Sequence, residues 1–562
     1  MDIFLLLTIG VVTASVFGLL ARIFKQPVLV GYLFAGLALS VFGALTAERQ
    51  DILDSLAHFG ITFLLFLVGL EMNLKELKTV GKVAVIAGIS QIVFTSAVGF
   101  LLSRLLGFDF IASLYIAIAL TFSSTIIIVK LLSEKRDLSS LYGKIAVGFL
   151  LVQDVVAILI LMVLSGIQSS EFGFANLALI FAKGASVVFG IYLVSRFVLT
   201  KLFDRIARAS GELLFISSVA WALFVASLVS SPWFGFSVEI GGFLAGLALA
   251  RSSEHFQIAS RIKPLRDFFL TIFFLLLGAK LAVGLDFQII VPAILLSLFV
   301  LIGNPLIVMS ILGLMGYKKR TSFLASVTVA QISEFSFTII WLGERVNHVS
   351  SQVVSLTILV GIITMTVSTY LILYGHIVYE KFKNFLSIFE KKNVKENALS
   401  INKEFSNHLV LLGCHRLGSR VLPILLKRQE EVVVVDFNPQ IVEKLVADGV
   451  SAFYGDTTDA ETLDLLNLKT AKMVISTTGS LEDNLFVLEF VSKFEKRPLM
   501  VFSAGSAPEA LVLYEKGADY VIVPHIAGGD HLAHILNTHG LAREYFKKAK
   551  LRHFDRLAQE RF

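Results

Sequence analysis

The chain has 562 residues, 56% of them hydrophobic and 16% charged, and a mean hydropathy of +0.80; soluble domains carry about 25% charged residues, so the composition excludes an ordinary globular protein and implies a polytopic membrane protein. The net charge of +6 does not imply nucleic acid, because Lys and Arg are concentrated in short loops between apolar runs. A single cysteine, Cys414, excludes an intrachain disulfide.

Long apolar runs extend from Met1 to about Leu386, and the remainder reads as a soluble domain. Met1-Asp2-Ile3 lacks the basic stretch of a signal peptide, so the first run is expected to be a retained helix. A window of about 20 apolar residues predicts about thirteen spans, near 3–22, 28–46, 54–72, 82–103, 109–132, 142–165, 174–199, 212–230, 233–251, 266–285, 288–315, 321–343 and 352–380. Alternate loops differ in charge. One set carries Lys75, Lys78 and Lys82, then Lys130, Lys135, Arg136 and Lys144, then Lys201, Arg205 and Arg208, then Lys318, Lys319 and Arg320; the other holds little more than Arg49, Arg104 and Arg345. Basic loops stay cytoplasmic, so the N-terminus is expected outside and the C-terminal domain inside a cell (inner) membrane.

Span three closes on Phe66-Leu67-Val68-Gly69-Leu70-Glu71, and span ten on Leu275-Leu276-Leu277-Gly278-Ala279-Lys280. The two are an odd number of spans apart, so a repeat containing them is inverted, as in many secondary transporters; chance similarity between two Leu/Phe/Gly runs is the competing reading. The repeat pairs span five with span twelve. Both hold hydroxyl-rich interruptions near mid-span, Thr121-Phe122-Ser123-Ser124-Thr125 and Ser326 to Ser336. Such breaks allow helices to unwind where freed backbone faces a water-filled cavity, although Ser and Thr also bond back to their own helix.

Span six carries Gln153-Asp154 in the run Gly148 to Ile158, with about ten apolar residues on either side of the acid. An ionised carboxylate at that depth costs several kcal/mol unless water or a cation compensates it, so Asp154 marks an ion or proton pathway or has a structural partner on a neighbouring helix. Two half-helices crossing beside it would supply carbonyl oxygens, hydroxyls and opposed helix ends around a cation.

Phe63 to Glu71, Ser123-Ser124-Thr125, Gln153-Asp154 and Gln331-Ile332-Ser333-Glu334-Phe335 together resemble the monovalent cation:proton antiporter-2 family, specifically its Kef-type members, over nearly the whole chain. The resemblance implies a homodimeric antiporter of the sodium/proton-exchanger fold, embedded in lipid, with a dimerisation half and a core half that moves like an elevator. The family's ion-binding aspartate matches Asp154, and the polar residue before it matches Gln153. Relatives with a second Asp there tend to be electrogenic. Gln153 therefore implies electroneutral exchange, one Asp holding in turn a proton or a monovalent cation, with Thr121, Ser123, Ser124 and Thr125 around it. Glu334 is expected to tie the broken helix rather than titrate, and Glu239 and Lys280 to form structural pairs. Kinship favours potassium, with sodium the alternative.

From Ser387 to Phe405 the chain turns polar, giving a transport unit over 1–380, a linker over 381–404 and a cytoplasmic unit over 405–562 with a helical tail. Strands are predicted at 408–412, 431–435, 450–454, 472–477, 498–503 and 519–523 with helices between, the rhythm of a doubly wound parallel α/β Rossmann-like domain. The turn Gly413-Cys414-His415-Arg416-Leu417-Gly418 opens a helix, and Asp436 ends the second strand at the spacing of a ribose-binding acid. A second glycine for close pyrophosphate approach is missing. With Gly455-Asp456, Thr477-Thr478 and Asp483-Asn484, the order resembles the TrkA-N (RCK) regulatory domain of Kef proteins. That resemblance implies a nucleotide sensor, with Gly413, Arg416, Gly418 and Asp436 at phosphate and ribose and Asp456 near the adenine. An adenine mononucleotide such as AMP is preferred to NAD or NADH, and no transition metal is expected. The competing readings are a nucleotide-gated potassium channel, which would show a filter run such as Thr-Val-Gly-Tyr-Gly, and an enzyme, which is not expected.

Overall fold

In the computed structural model the described residues are 3–43, 47–71, 81–135, 137, 140–166, 174–231, 233–250, 252, 254–284, 287–389, 405–414, 417–428, 430–436, 439–455, 457 and 460–550. Contacts divide the chain into two units, Met1–Lys392 and Asn393–Phe562.

The first unit is helical. Its helices are α1 (Ile3–Ile23), α2 (Val28–Val41), α3 (Ala47–Glu71), α4 (Gly81–Leu105), α5 (Phe110–Ala119), α6 (Thr125–Glu134), α7 (Leu141–Gly166), α8 (Phe174–Val194), α9 (Thr200–Ala209), α10 (Gly211–Val229), α11 (Val238–Leu249), α12 (His255–Gly284), α13 (Phe287–Leu298), α14 (Asn304–Leu314), α15 (Lys319–Val327), α16 (Glu334–Arg345), α17 (Ser351–Leu373) and α18 (Gly375–Phe382). Among the described residues, six helices are each long and apolar enough to cross a membrane. One of the six, Gln288–Leu314, runs through α13 and α14, and two further apolar spans are interrupted by the polar segments that matter most for function.

Two predicted spans are broken. Thr121 to Ser124 separate α5 from α6, and Thr328 to Ser333 separate α15 from α16. Side chains satisfy the backbone freed at each break. Ser124 caps α6 by accepting from the Ile127 amide, and Ser333 and Ser336 form a reciprocal capping box at the start of α16.

The helices form two bundles, each built from both halves of the repeat. In the scaffold bundle α3 packs on α11 and α12, α2 packs on α12, and α1 and α10 flank α2 and α11. In the core bundle α4 packs on α5, α7 and α14, while α17 packs on α13 and α16. Each contact has an inverted partner: α2–α12 mirrors α11–α3, and α4–α5 mirrors α14–α15. Close backbone approach explains the glycines of the repeat. A Cβ at Gly278 would overlap the Leu33 carbonyl and one at Gly36 the Leu275 carbonyl, and Gly69 and Gly246 stand in the same relation to Phe243 and Phe66. The symmetry is incomplete among the described residues: α5 packs firmly on α16 and α12 on α17, whereas their counterpart pairs, α6 with α15 and α3 with α7, do not.

Several boundaries differ from expectation. Span ten starts at His255 and runs through Pro264, so its polar first turns are helical too. The segment assigned to the linker at 381–389 belongs to the helical unit: after α18 a 3-10 turn, Phe385–Phe389, packs Leu386 and Phe389 around Met309 and Tyr379. Apolar side chains decide its placement despite neighbouring lysines.

The second unit is a six-stranded parallel sheet in the order β3-β2-β1-β4-β5-β6, with β1 Leu409–Leu412, β2 Val432–Asp436, β3 Ser451–Tyr454, β4 Met473–Ser476, β5 Leu499–Ser503 and β6 Tyr520–Ile522. The order reverses beside β1, so β1 and β4 flank the topological switch point where such sheets bind ligands. Strands β1 and β2 are buried throughout, as a sheet covered on both faces requires.

Candidate functional site

Asp154 lies midway along α7, 7% exposed, and accepts a hydrogen bond at Oδ2 from the Thr125 hydroxyl at 3.0 Å. Thr125 is the first residue of α6, so the carboxylate meets the positive end of a half-helix. Glu334, 3% exposed, opens α16 and stands close enough for the two carboxylates to repel. Its own side chain accepts a hydrogen bond from the Ser333 hydroxyl at 3.3 Å, and Ser124 of the other broken span lies beside it. The guanidinium of Arg266, on the scaffold helix α12, lies within electrostatic range of Glu334. Two helix N-termini, two carboxylates and a set of hydroxyls thus converge in an all-oxygen environment. Hard oxygen donors suit sodium, potassium and the proton alike.

The two breaks are stitched together directly. The Ser123 hydroxyl donates to the Val329 carbonyl at 3.2 Å, and the Ser336 hydroxyl donates to the Ala119 carbonyl at 2.5 Å. Gln153, wholly buried, faces the break: its Oε1 accepts from the Ser123 amide at 3.0 Å, and its Nε2 donates to Gln91 Oε1 at 2.9 Å and to the Thr121 carbonyl at 3.1 Å. Every amide proton of Gln153 is therefore committed to protein acceptors.

In the second unit Gly413 has φ +84°, and a Cβ on Gly418 would overlap the Gly413 carbonyl, so the turn after β1 closes as tightly as a nucleotide-binding turn does. Asp436 is 2% exposed, and one carboxylate oxygen accepts from the Cys414 amide at 2.7 Å, so the acid is held under the turn. Thr477 Oγ1 donates to the Gly413 carbonyl at 2.9 Å, while Asn484 joins Ser476, Thr478 and the Ser503 carbonyl into a brace across β4 and β5. Burial and the nearby Asp436 carboxylate push the Cys414 thiol up to about 11. The thiolate is the reactive form, so Cys414 is expected to resist a maleimide at pH 8 in the folded protein and to react at once after denaturation, as a thiol titration would show.

A family model described as sodium/hydrogen exchanger, transmembrane, matches residues 11–373, and a TrkA-N domain model matches 409–524. The chain belongs to the sodium/hydrogen exchanger family. It is 29% identical over 480 residues to the cation/proton antiporter YbaL of Escherichia coli, covering 83% of this chain and 85% of that protein. It is 26% identical over 506 residues to K(+) efflux antiporter 3 of Arabidopsis thaliana, covering 84% of this chain but only 63% of that one. The sodium proton antiporter MjNhaP1 of Methanocaldococcus jannaschii aligns over 69% of this chain and 99% of its own, at 17% identity and a TM-score of 0.49. The exchanger is a cation/proton antiporter of the Kef type in the monovalent cation:proton antiporter-2 family, with a TrkA-N domain at its C-terminal end.

In this exchanger Asp154, Ser124, Thr125 and Glu334 come together, while Gln153, Thr121 and Ser123 form the support behind them. Of the proposed nucleotide residues, Gly413, Gly418 and Asp436 meet at one turn; Arg416 and Asp456 lie outside the described residues. Gln91, Thr95 and Asn304 went unnoticed in the sequence. All three are fully buried: Gln91 donates to the Thr121 carbonyl, Thr95 donates to Asn304, and Asn304 donates to the Leu120 carbonyl, so they hold the free end of α5. Their only sequence signal is an uncharged polar side chain in an otherwise apolar span.

Proposed function

We propose that this exchanger moves one monovalent cation against one proton, with Asp154 as the carrier of both in turn. The observation that carries the reading is the single hydrogen bond from Thr125 to Asp154 at the junction of two broken helices, which leaves the carboxylate able to take either a proton or a cation. Glu334 is held by Ser333, with Ser124 of the other break beside it, and acts as a tie between the breaks and a source of negative field. With one free carboxylate the exchange is electroneutral. The plant relative named above supports potassium as the cation, and the description of the family model supports sodium as the alternative. The apolar scaffold bundle is proposed as the homodimer contact, with the N-terminus outside the cell membrane and the TrkA-N unit in the cytoplasm, following the loop charges.

The regulatory unit, 405–562, is proposed to sense an adenine nucleotide at the Gly413–Gly418 turn, with Arg416 and Asp456 completing the site. His415 occupies the position in the sequence where a close pyrophosphate would need a second glycine, which favours AMP over NAD or NADH. Two measurements test the proposal. In proteoliposomes, proton flux should follow potassium most strongly, then sodium, and should not respond to an imposed voltage; voltage-dependent flux would overturn the stoichiometry. Calorimetry on the full-length protein should show heat with AMP exceeding that with NAD, and silence from every adenine nucleotide would remove the sensor.

A further inference from the structure

At the end of α16 remote from Asp154, a cavity of about 540 Å³ opens between the bundles. Its walls come from α3, α10 and α11 on the scaffold side and from the C-terminal turn of α16 on the core side. Three polar side chains cross it. His58 Nδ1 lies 3.0 Å from Glu239 Oε1, and Arg345 NH1 lies 2.8 Å from His58 Nε2. Both His58 and Glu239 are scaffold residues, and Arg345 belongs to the core, so the imidazole is the joint between bundles.

The chemistry of the partners assigns the tautomer. A guanidinium only donates, so His58 Nε2 must accept; Nδ1 then carries the proton and donates to Glu239. The bridge exists only while the imidazole is neutral. A second proton would place an N–H on Nε2, directed at the guanidinium, and turn an attractive contact into a repulsive one. We propose that His58, with Glu239 and Arg345, forms a second proton-binding site, distinct from Asp154, whose occupation opens one of the ties that hold the core bundle to the scaffold.

The surroundings are consistent with that role. Facing His58 are Glu239 from α11 and Arg345 from α16, and Trp341 from α16 lies against it with ring centroids 4.5 Å apart and planes tilted by 52°. Arg345 lies over the same indole at 5.3 Å. Beside them Lys280 of α12 pairs with Glu344 of α16 at 2.6 Å, a second tie that does not depend on imidazole charge. Leu223, Ala226 and Ser227 of α10, and Ser230 just after it, line the cavity and carry no titratable group. At its other end α16 begins with Glu334 beside Asp154, so one rigid helix of about 18 Å joins the two sites.

This inference rests on the antiport reading only in requiring the bundles to move, and its first test does not involve transport. Protonated imidazole quenches an indole in contact with it, as Trp341 is with His58, and all three tryptophans of the chain lie in the exchanger unit. Fluorescence of the full-length protein, titrated from pH 8 to pH 5 where imidazoles take up their proton, should fall in one reversible step, and His58→Gln should remove it. A wild-type titration with no step, or a step that His58→Gln retains, overturns the proposal. The second test is exchange rate in proteoliposomes. Acidifying the cavity face should speed the wild type several-fold; His58→Gln, whose amide can donate to Glu239 and accept from Arg345 at once, should stay slow at every pH. Arg345→Gln should run at the acid rate even at neutral pH. Equal pH profiles for all three overturn the latch. Wild-type vesicles with no exchange at any pH would instead defeat the antiport reading, with the fluorescence result still deciding the proton site.

Discussion

Asp154→Asn should reduce cation-dependent proton flux in proteoliposomes to the level of protein-free vesicles. The substitution keeps size and shape, and the Thr125 hydroxyl, 3.0 Å away, can reverse its role and accept from the new amide, so the fold should survive. What disappears is the group that can hold either a proton or a compensating positive ion at mid-membrane depth. Retained exchange would remove Asp154 as the shared carrier. Unchanged thermal unfolding alongside lost flux separates the chemical effect from misfolding.

The second large effect is expected at the neighbouring residue. Gln153→Leu should lower both stability and exchange, because it strands the Ser123 amide and removes donors from Gln91 Oε1 and the Thr121 carbonyl in a site with no exposure. Each buried polar group left without a partner costs about 1–3 kcal/mol, so a drop of several degrees in the unfolding temperature in detergent should be plain. Gln153→Glu, which can still accept from Ser123, should be milder in stability. An unfolding curve identical to wild type for Gln153→Leu would show that the two breaks are held by something else.

These two neighbours show what sequence reasoning reaches. Asp154 stands out in the sequence because a lone carboxylate in a long apolar run is expensive wherever the chain folds. The strands of the second unit are equally legible: the alternation of short apolar runs with helical segments places β1 to β6 within about a residue of their observed ends. The direction of the Gln153 side chain is not legible, since its partner Gln91 is 62 residues away on another helix. The same holds for Glu239, whose partner His58 lies 181 residues away. Periodicity within one helix says which face is polar; it carries no information about what another helix brings to that face. The stretch at 381–389 fails for the opposite reason, as lysines mask the apolar residues that dock it.

The scaffold glycines bear on where this protein can deform. Packed helices slide past one another by letting side chains change rotamer, and at Gly36, Gly69, Gly246 and Gly278 backbone meets backbone with no side chain between to change. Helices α2, α3, α11 and α12 are thereby locked into a stiff plate. Shear between the halves has to be taken up elsewhere, and the contact of α12 with α17, where the Ser355 hydroxyl meets the Lys280 carbonyl, offers a bearing surface.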